Sequence, residues 1–380
     1  MQYRSLRGLC VLAFALLAGC SMFSSSDLRH EPAKLTEYAP AVSARVIWQV
    51  PVGAGSGVGF APAVVDEAVY AAAPRGTVVK VNLASGAVAW RASVDRTLSA
   101  GAGSDGRITA VAAPDGAVIA FDDGGQELWT AQASSEVLIP PVVGDGVVAV
   151  RSGDYRVQAF EAATGELRWS VQRPGPALAL KTTMQMRIVD GMLITGLPNG
   201  KLMAIDLASG DVLWEGTVAV SQGVTDLDRI SDVVGAPQLQ GPLLCAVAYQ
   251  GRMACFDISR GGVMHWSTSF SSPTGMTTDE TQAYAADQRS VMHAFSLEDG
   301  DPRWSQDALR NRRLAAPAVL RNTVAAGDLE GYVHFLNRHD GSLQGRLHLG
   351  GGPILSPLTA SPRGVVVQTG KGDLVLVGLN

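Results

Sequence analysis

Residues 82–90 read NLASGAVAW and residues 206–214 read DLASGDVLW. One active site needs one set of groups, so a phrase repeated 124 positions later marks a structural unit that stacks on copies of itself. All seven tryptophans stand in this phrase, at 48, 90, 129, 169, 214, 266 and 304, separated by 42, 39, 40, 45, 52 and 38 residues. An eighth copy, LNRHDGSLQG, ends on Gly345 where Trp would stand. Four residues before each of the last seven positions comes a glycine (86, 125, 165, 210, 262, 300 and 341), as a turn with positive φ requires. A short polar residue usually precedes the Trp position by about eight: Asn82, Asp122, Glu161, Asp206, Asp257, Ser296 and Asn337. Pro62, Pro141, Pro237 and Pro317 recur 28 or 29 residues upstream.

Between these marks apolar and polar residues alternate with period two, as in PAVVDEAVYAAAPRGTVVKVNLASGAVAW, which divides into four short β runs. A four-stranded sheet of about 40 residues cannot bury both faces alone but can be sandwiched in a closed ring, so each copy reads as a propeller blade. The outer-strand tryptophans read as inter-blade packing rather than chemistry. Trp48 has no three-strand partner before it, while the C-terminal stretch SPLTASPRGVVVQTGKGDLVLVGLN supplies three strands without a fourth. The sequence therefore predicts an all-β, eight-bladed β-propeller over residues 41–380, closed by pairing of its N- and C-terminal strands.

Composition agrees with this reading and narrows the function. Of 380 residues 47% are hydrophobic, 17% are charged and 43 are glycine, which suits an all-β chain with many tight turns. Thirty basic residues face 35 acidic ones and no basic block appears, so nucleic acid is not an expected partner. Residues 1–19 read as a signal peptide: Arg4 and Arg7 precede an apolar stretch too short to span a bilayer. The ending Leu17-Ala18-Gly19-Cys20 resembles a lipobox, which makes Cys20 the expected lipidation site. Ser21 rather than Asp follows it, favouring the outer membrane. Polar residues 20–40 read as the lipidated cysteine and a flexible tether.

The phrase (D/N)-x-x-x-G-x-x-x-W with its upstream Pro-x-Val strand resembles the pyrroloquinoline-quinone-type propeller repeat. That repeat is shared by quinoprotein dehydrogenases and by the BamB family of outer-membrane assembly lipoproteins. A lipobox, a polar tether and a bare ring resemble the second group, as do SSEVLIPP at 134–141, RRLAAPAV at 312–319 and GDLEGYVHFL at 327–336. The resemblance spans roughly residues 10–380. It implies a non-catalytic scaffold of the β-barrel assembly (BAM) complex, lipid-anchored and facing the periplasm, docked as a monomer on the POTRA domains of the barrel subunit BamA. Unfolded outer-membrane proteins are a further class of contact.

Two segments break the repeat, and such insertions often map to a binding face. The 45-residue gap contains RPGPALALKTTMQM and the 52-residue gap contains SQGVTDLDRISDVVGAP. They resemble the family's partner-facing patterns L-x-L-R and D-R-x-x-D-x-D, which points to Leu178, Leu180, Lys181, Asp228, Arg229 and Asp232 as partner-binding residues. Lys181 replaces an arginine of the pattern and Val234 replaces its last acid. Two leucines beside a cation, with a charged loop, suit an apolar contact with a polar rim.

A quinoprotein dehydrogenase or a ligand-binding propeller is the alternative. Asp226, Asp228 and Asp232 lack the ligand spacing and central Gly of a Ca²⁺ loop, the six histidines form no metal motif, and VGAGSGVGFAP misses the G-x-G-x-x-G register. No catalytic, metal or cofactor residue is therefore expected. Cys245 and Cys255 remain as the thiols of the mature ring. A three-residue hairpin turn would set them opposite, and a two-residue Gln250-Gly251 turn on opposite faces. Analogy with Asn199-Gly200 favours the second, with two buried free thiols.

Overall fold

A computed structural model describes residues 30–380, apart from residues 177, 181–183 and 223. Its described residues form 32 strands, β1–β32 in chain order, in eight four-stranded antiparallel sheets. Seven sheets each use four consecutive strands, from blade one (β2–β5, residues 63–93) to blade seven (β26–β29, residues 318–348). Blade eight joins the chain ends: β1 (Ala44–Pro51) pairs with β32 (Asp373–Leu379), Val46 opposite Val377 and Trp48 opposite Leu376. The eight-bladed ring and its closure are thus as the sequence predicts.

Local chemistry explains the repeated phrase. In most copies the short polar side chain caps its own turn: Asn82 Oδ1 accepts the amides of Ala84 and Ser85, and Asp206 Oδ1 those of Ala208 and Ser209, whereas the Glu161 carboxylate pairs with Arg168 instead. The tryptophan then reaches the next blade. Trp48, Trp129, Trp169, Trp266 and Trp304 donate their Nε1–H to the carbonyls of Leu83, Ala162, Leu207, Leu297 and Arg338, each one residue after the short polar residue of the phrase.

The missing eighth tryptophan has a structural reason. Blade eight is completed by the chain ends, so it has no turn between its two outer strands for an indole to dock on. The chain just before β1 runs there instead. Ala41 and Val42 donate their amides to Gln344 O, and a β-carbon at Gly345 would lie 2.7 Å from the Val42 carbonyl oxygen. The segment read as tether is accordingly fastened to the ring from Glu31 onward.

The two cysteines correct the sequence reading. In blade five β19 (Leu243–Ala248) and β20 (Arg252–Asp257) pair with Val247 opposite Met253, so the turn holds three residues, Tyr249, Gln250 and Gly251. The neighbouring hairpin has the same length, because Leu197 pairs with Lys201 around Pro198, Asn199 and Gly200. The analogy between the hairpins holds, but both turns are one residue longer than expected. Cys245 therefore faces Cys255 directly, and the two form a fully buried disulfide.

Candidate functional site

The first irregular segment, residues 173–185, connects β13 (Leu167–Gln172) of blade three to β14 (Met186–Val189) of blade four. The second, residues 218–232, connects β17 (Val212–Thr217) of blade four to β18 (Val233–Gln240) of blade five. Both run from an outer strand to the next inner strand, so both lie on the same face of the ring as the turns at 198–200 and 249–251.

The first segment is seated on Tyr155, whose hydroxyl donates to Pro176 O at 2.9 Å. Arg173 Nε bonds Glu215 Oε1 across to blade four at 2.7 Å. Leu178 projects outward with 44% of its surface exposed. Leu180 is half-buried and packs on the cluster that holds Val234, Val247, the disulfide and Trp266. Lys181 lies outside the described residues.

In the second segment Asp228 closes a turn, its Oδ2 accepting the Thr225 hydroxyl at 2.7 Å and the Thr225 amide at 3.2 Å. The hydroxyl contact chiefly holds its carboxyl below the usual range. Arg229 is exposed beside it. The Gln250 amide, with its nitrogen toward the loop, donates to the carbonyls of Leu227, Asp228 and Ile230 at 3.1–3.2 Å.

Asp232 is not the rim acid that its motif suggests. It is fully buried, and its Oδ2 accepts the Leu180 amide at 2.5 Å, 52 residues away in sequence. Its own carbonyl accepts the Tyr249 amide at 2.8 Å. Burial pushes its carboxyl up, against the pull of the Leu180 and Asn199 amides and the charge of Arg151. Arg151 is itself buried, donates to Gly196 O at 2.8 Å, and is lowered by burial to about 10. Asp232 thus works as an internal tie that draws the two segments together.

Sequence reasoning missed the most exposed apolar residues of this surface. Val224 is 90% exposed, Leu227 66% and Val220 58%. Val224 and Leu227 stand as isolated apolar residues in the polar run SQGVTDLDRI, which was the available signal, and Val220 directly precedes that run. Leu178, on the segment joined to theirs through Asp232, is a further exposed apolar residue of this face, and Asp228 and Arg229 are exposed on the same loop as Val224 and Leu227.

The axial channel is a further concavity, about 610 Å³, lined by all eight blades. Its walls carry Pro62, Pro141, Pro317 and Pro357 with small and aliphatic residues, and the polar side chains of Gln185, Arg187 and Gln238. No carboxylate or imidazole lines it, and no group of three His, Cys, Asp or Glu is placed to hold a metal among the described residues. A quinone cofactor held against Ca²⁺ needs such oxygen ligands, so these residues do not fit one.

Residues 74–306 match the family model described as outer membrane protein assembly factor BamB. The outer membrane protein assembly factor BamB of Bordetella pertussis is 58% identical over 99% of this chain and 98% of that relative. The chain belongs to the BamB family. The crystal structure of BamB from Moraxella catarrhalis superposes with a TM-score of 0.81 over 88% of this chain and 100% of that one, at 21% identity. A quinohemoprotein alcohol dehydrogenase from Pseudomonas putida superposes with a TM-score of 0.67 over 92% and 78% of the two chains, at 12% identity, a likeness of fold alone. Family membership also settles the class: BamB proteins are assembly factors, and this chain is not an enzyme.

Proposed function

We propose that this protein is a lipid-anchored, non-catalytic scaffold of the BAM complex, assisting the folding and insertion of outer-membrane proteins. It is held to the outer membrane through Cys20, faces the periplasm, and docks as a monomer on the POTRA domains of BamA. The observation that carries the docking surface is the tie between Asp232 and the Leu180 amide, which joins two segments that are distant in sequence and each carry exposed apolar residues.

The test is recovery of the barrel subunit with tagged protein from solubilised outer membranes. Leu178→Asp is the informative variant, because Leu178 is exposed and its replacement leaves the core intact, whereas Leu180 packs on the blade-five core. Recovery should fall at least tenfold with Leu178→Asp and less with Asp228→Ala or Arg229→Ala. Equal recovery from a folded Leu178→Asp protein would move the docking surface elsewhere. The anchor is tested separately: Cys20→Ser should abolish incorporation of labelled palmitate.

A further inference from the structure

Two phrases that neither the repeat nor the docking surface explains, at 312–319 and 327–336, meet in a buried ionic cluster on the loop-bearing face. Arg312 is 2% exposed, its Nε donating to Asp328 Oδ2 at 2.7 Å and its Nη2 to Glu330 Oε2 at 2.5 Å. Asp328 is fully buried and also contacts His334 Nε2 at 2.8 Å. The remaining arm of the guanidinium, Nη1, donates to the carbonyl of Ala33 at 2.8 Å, 279 positions away.

That contact is one of several along the segment before β1. The Ala33 amide donates to Arg310 O at 2.8 Å, and Asn311 Nδ2 to Glu31 O at 3.0 Å. Leu35 packs on the cluster containing Leu309, Leu314 and Leu336. Arg346 Nη1 donates to Thr36 O, its Nη2 pairs with Glu37, and its guanidinium lies over the Tyr38 ring. Residues 31–42 are thus a strap bonded to the ring by backbone, ionic and apolar contacts together.

We propose that the two phrases form a clamp that fixes where the lipid-bearing segment leaves the ring and so turns the loop-bearing face toward the phospholipid surface that holds the anchor. The inference rests on attachment at Cys20. From Cys20 to Glu31 the chain advances eleven residues, at most about 40 Å when extended; released as far as Val42 it would reach about 80 Å. The clamp also sets direction. The 307–317 connection between blades six and seven runs from outer to inner strand, like the two docking segments, so strap exit and docking surface share one face. The exposed surface beside the exit is polar and of mixed charge, with Arg289 and Arg313 next to Glu31, Glu37 and Glu330.

The test uses full-length lipidated protein in liposomes containing phosphatidylglycerol and nitroxide-headgroup lipid. A fluorophore is placed on Gln288→Cys, on the loop-bearing face, or on Asn322→Cys, on the opposite face. Quenching should be at least threefold greater at 288. Leu35→Asp and Ala33→Pro alter the strap and leave every blade strand unchanged, and should equalise the two sites in protein that circular dichroism shows to be folded. Equal quenching of the two probes on a protein that floats with the liposomes would overturn the clamp alone, as would unequal quenching that persists in both strap variants. Failure to float would overturn the anchor and the clamp with it.

Discussion

Gly210 lies so close to Trp169 of the preceding blade that a β-carbon there would sit 2.7 Å from the indole Cγ, and its φ is +80°. The same relationship links Gly86 with Trp48, Gly125 with Trp90, Gly165 with Trp129, Gly262 with Trp214, Gly300 with Trp266 and Gly341 with Trp304. The Gly and the Trp of one phrase therefore serve different interfaces. The glycine receives the previous blade's indole while the tryptophan reaches forward to the next blade's turn.

Gly210→Ala should destabilise the ring by about 2 kcal/mol, combining left-handed backbone strain with the clash against Trp169. Trp169→Ala should cost about 3–5 kcal/mol. Because the two residues share one contact, the double variant should be less destabilised than the sum of the singles. Strict additivity in denaturant titrations would place the cost of each outside that contact.

Removing residues 373–380 deletes β32, which pairs with both β1 and β31 (Gly364–Gln368). The deletion leaves two exposed sheet edges and an open ring. Aggregation or loss of a cooperative melting transition is the expected outcome, and an unchanged melting curve would contradict closure through blade eight.

The disulfide should leave no free thiol in denatured protein produced without residues 1–20 and purified under oxidising conditions. Replacing Cys245 and Cys255 together by Ala should lower stability by about 2–4 kcal/mol. It should also weaken recovery of the barrel subunit, since the pair lies in the cluster on which Leu180 packs. A thiol assay finding two free thiols would restore the reading made from sequence.

Acid should loosen the ring in two steps through the strap clamp. Burial holds the His334 imidazole below its ordinary value, so its contribution is present above about pH 6.5 and lost as pH falls through the depressed value. Burial raises the Asp328 carboxyl, but contacts with His334, Tyr332 and Arg312 outweigh it and hold the group low. Its contribution is present above about pH 3.9 and is lost lower still. Melting temperature should therefore decline on acidification below about pH 6.5, and His334→Asn should flatten the first decline. An identical pH profile in that variant would remove His334 from the titration.

By itself the sequence determined what local chemistry controls. Turn glycines, capping side chains and period-two runs act within one blade, so their spacing set strand number, blade number and the pairing of the chain ends. The absent tryptophan at Gly345 was legible as a break in the pattern, but its cause was not, because the strap that fills the space lies 303 residues earlier at Val42. Asp232 shows the same limit: its motif reads as a surface acid, and only the packing of blade five against the preceding segment buries it on the Leu180 amide. The disulfide turned on a single residue of hairpin length, since side chains alternate faces at every position of a strand. Contacts of this kind join residues that local propensity treats as independent: hairpin register pairs the cysteines, stacking of neighbouring blades brings Asp232 to Leu180, and closure of the ring brings Val42 to Gly345.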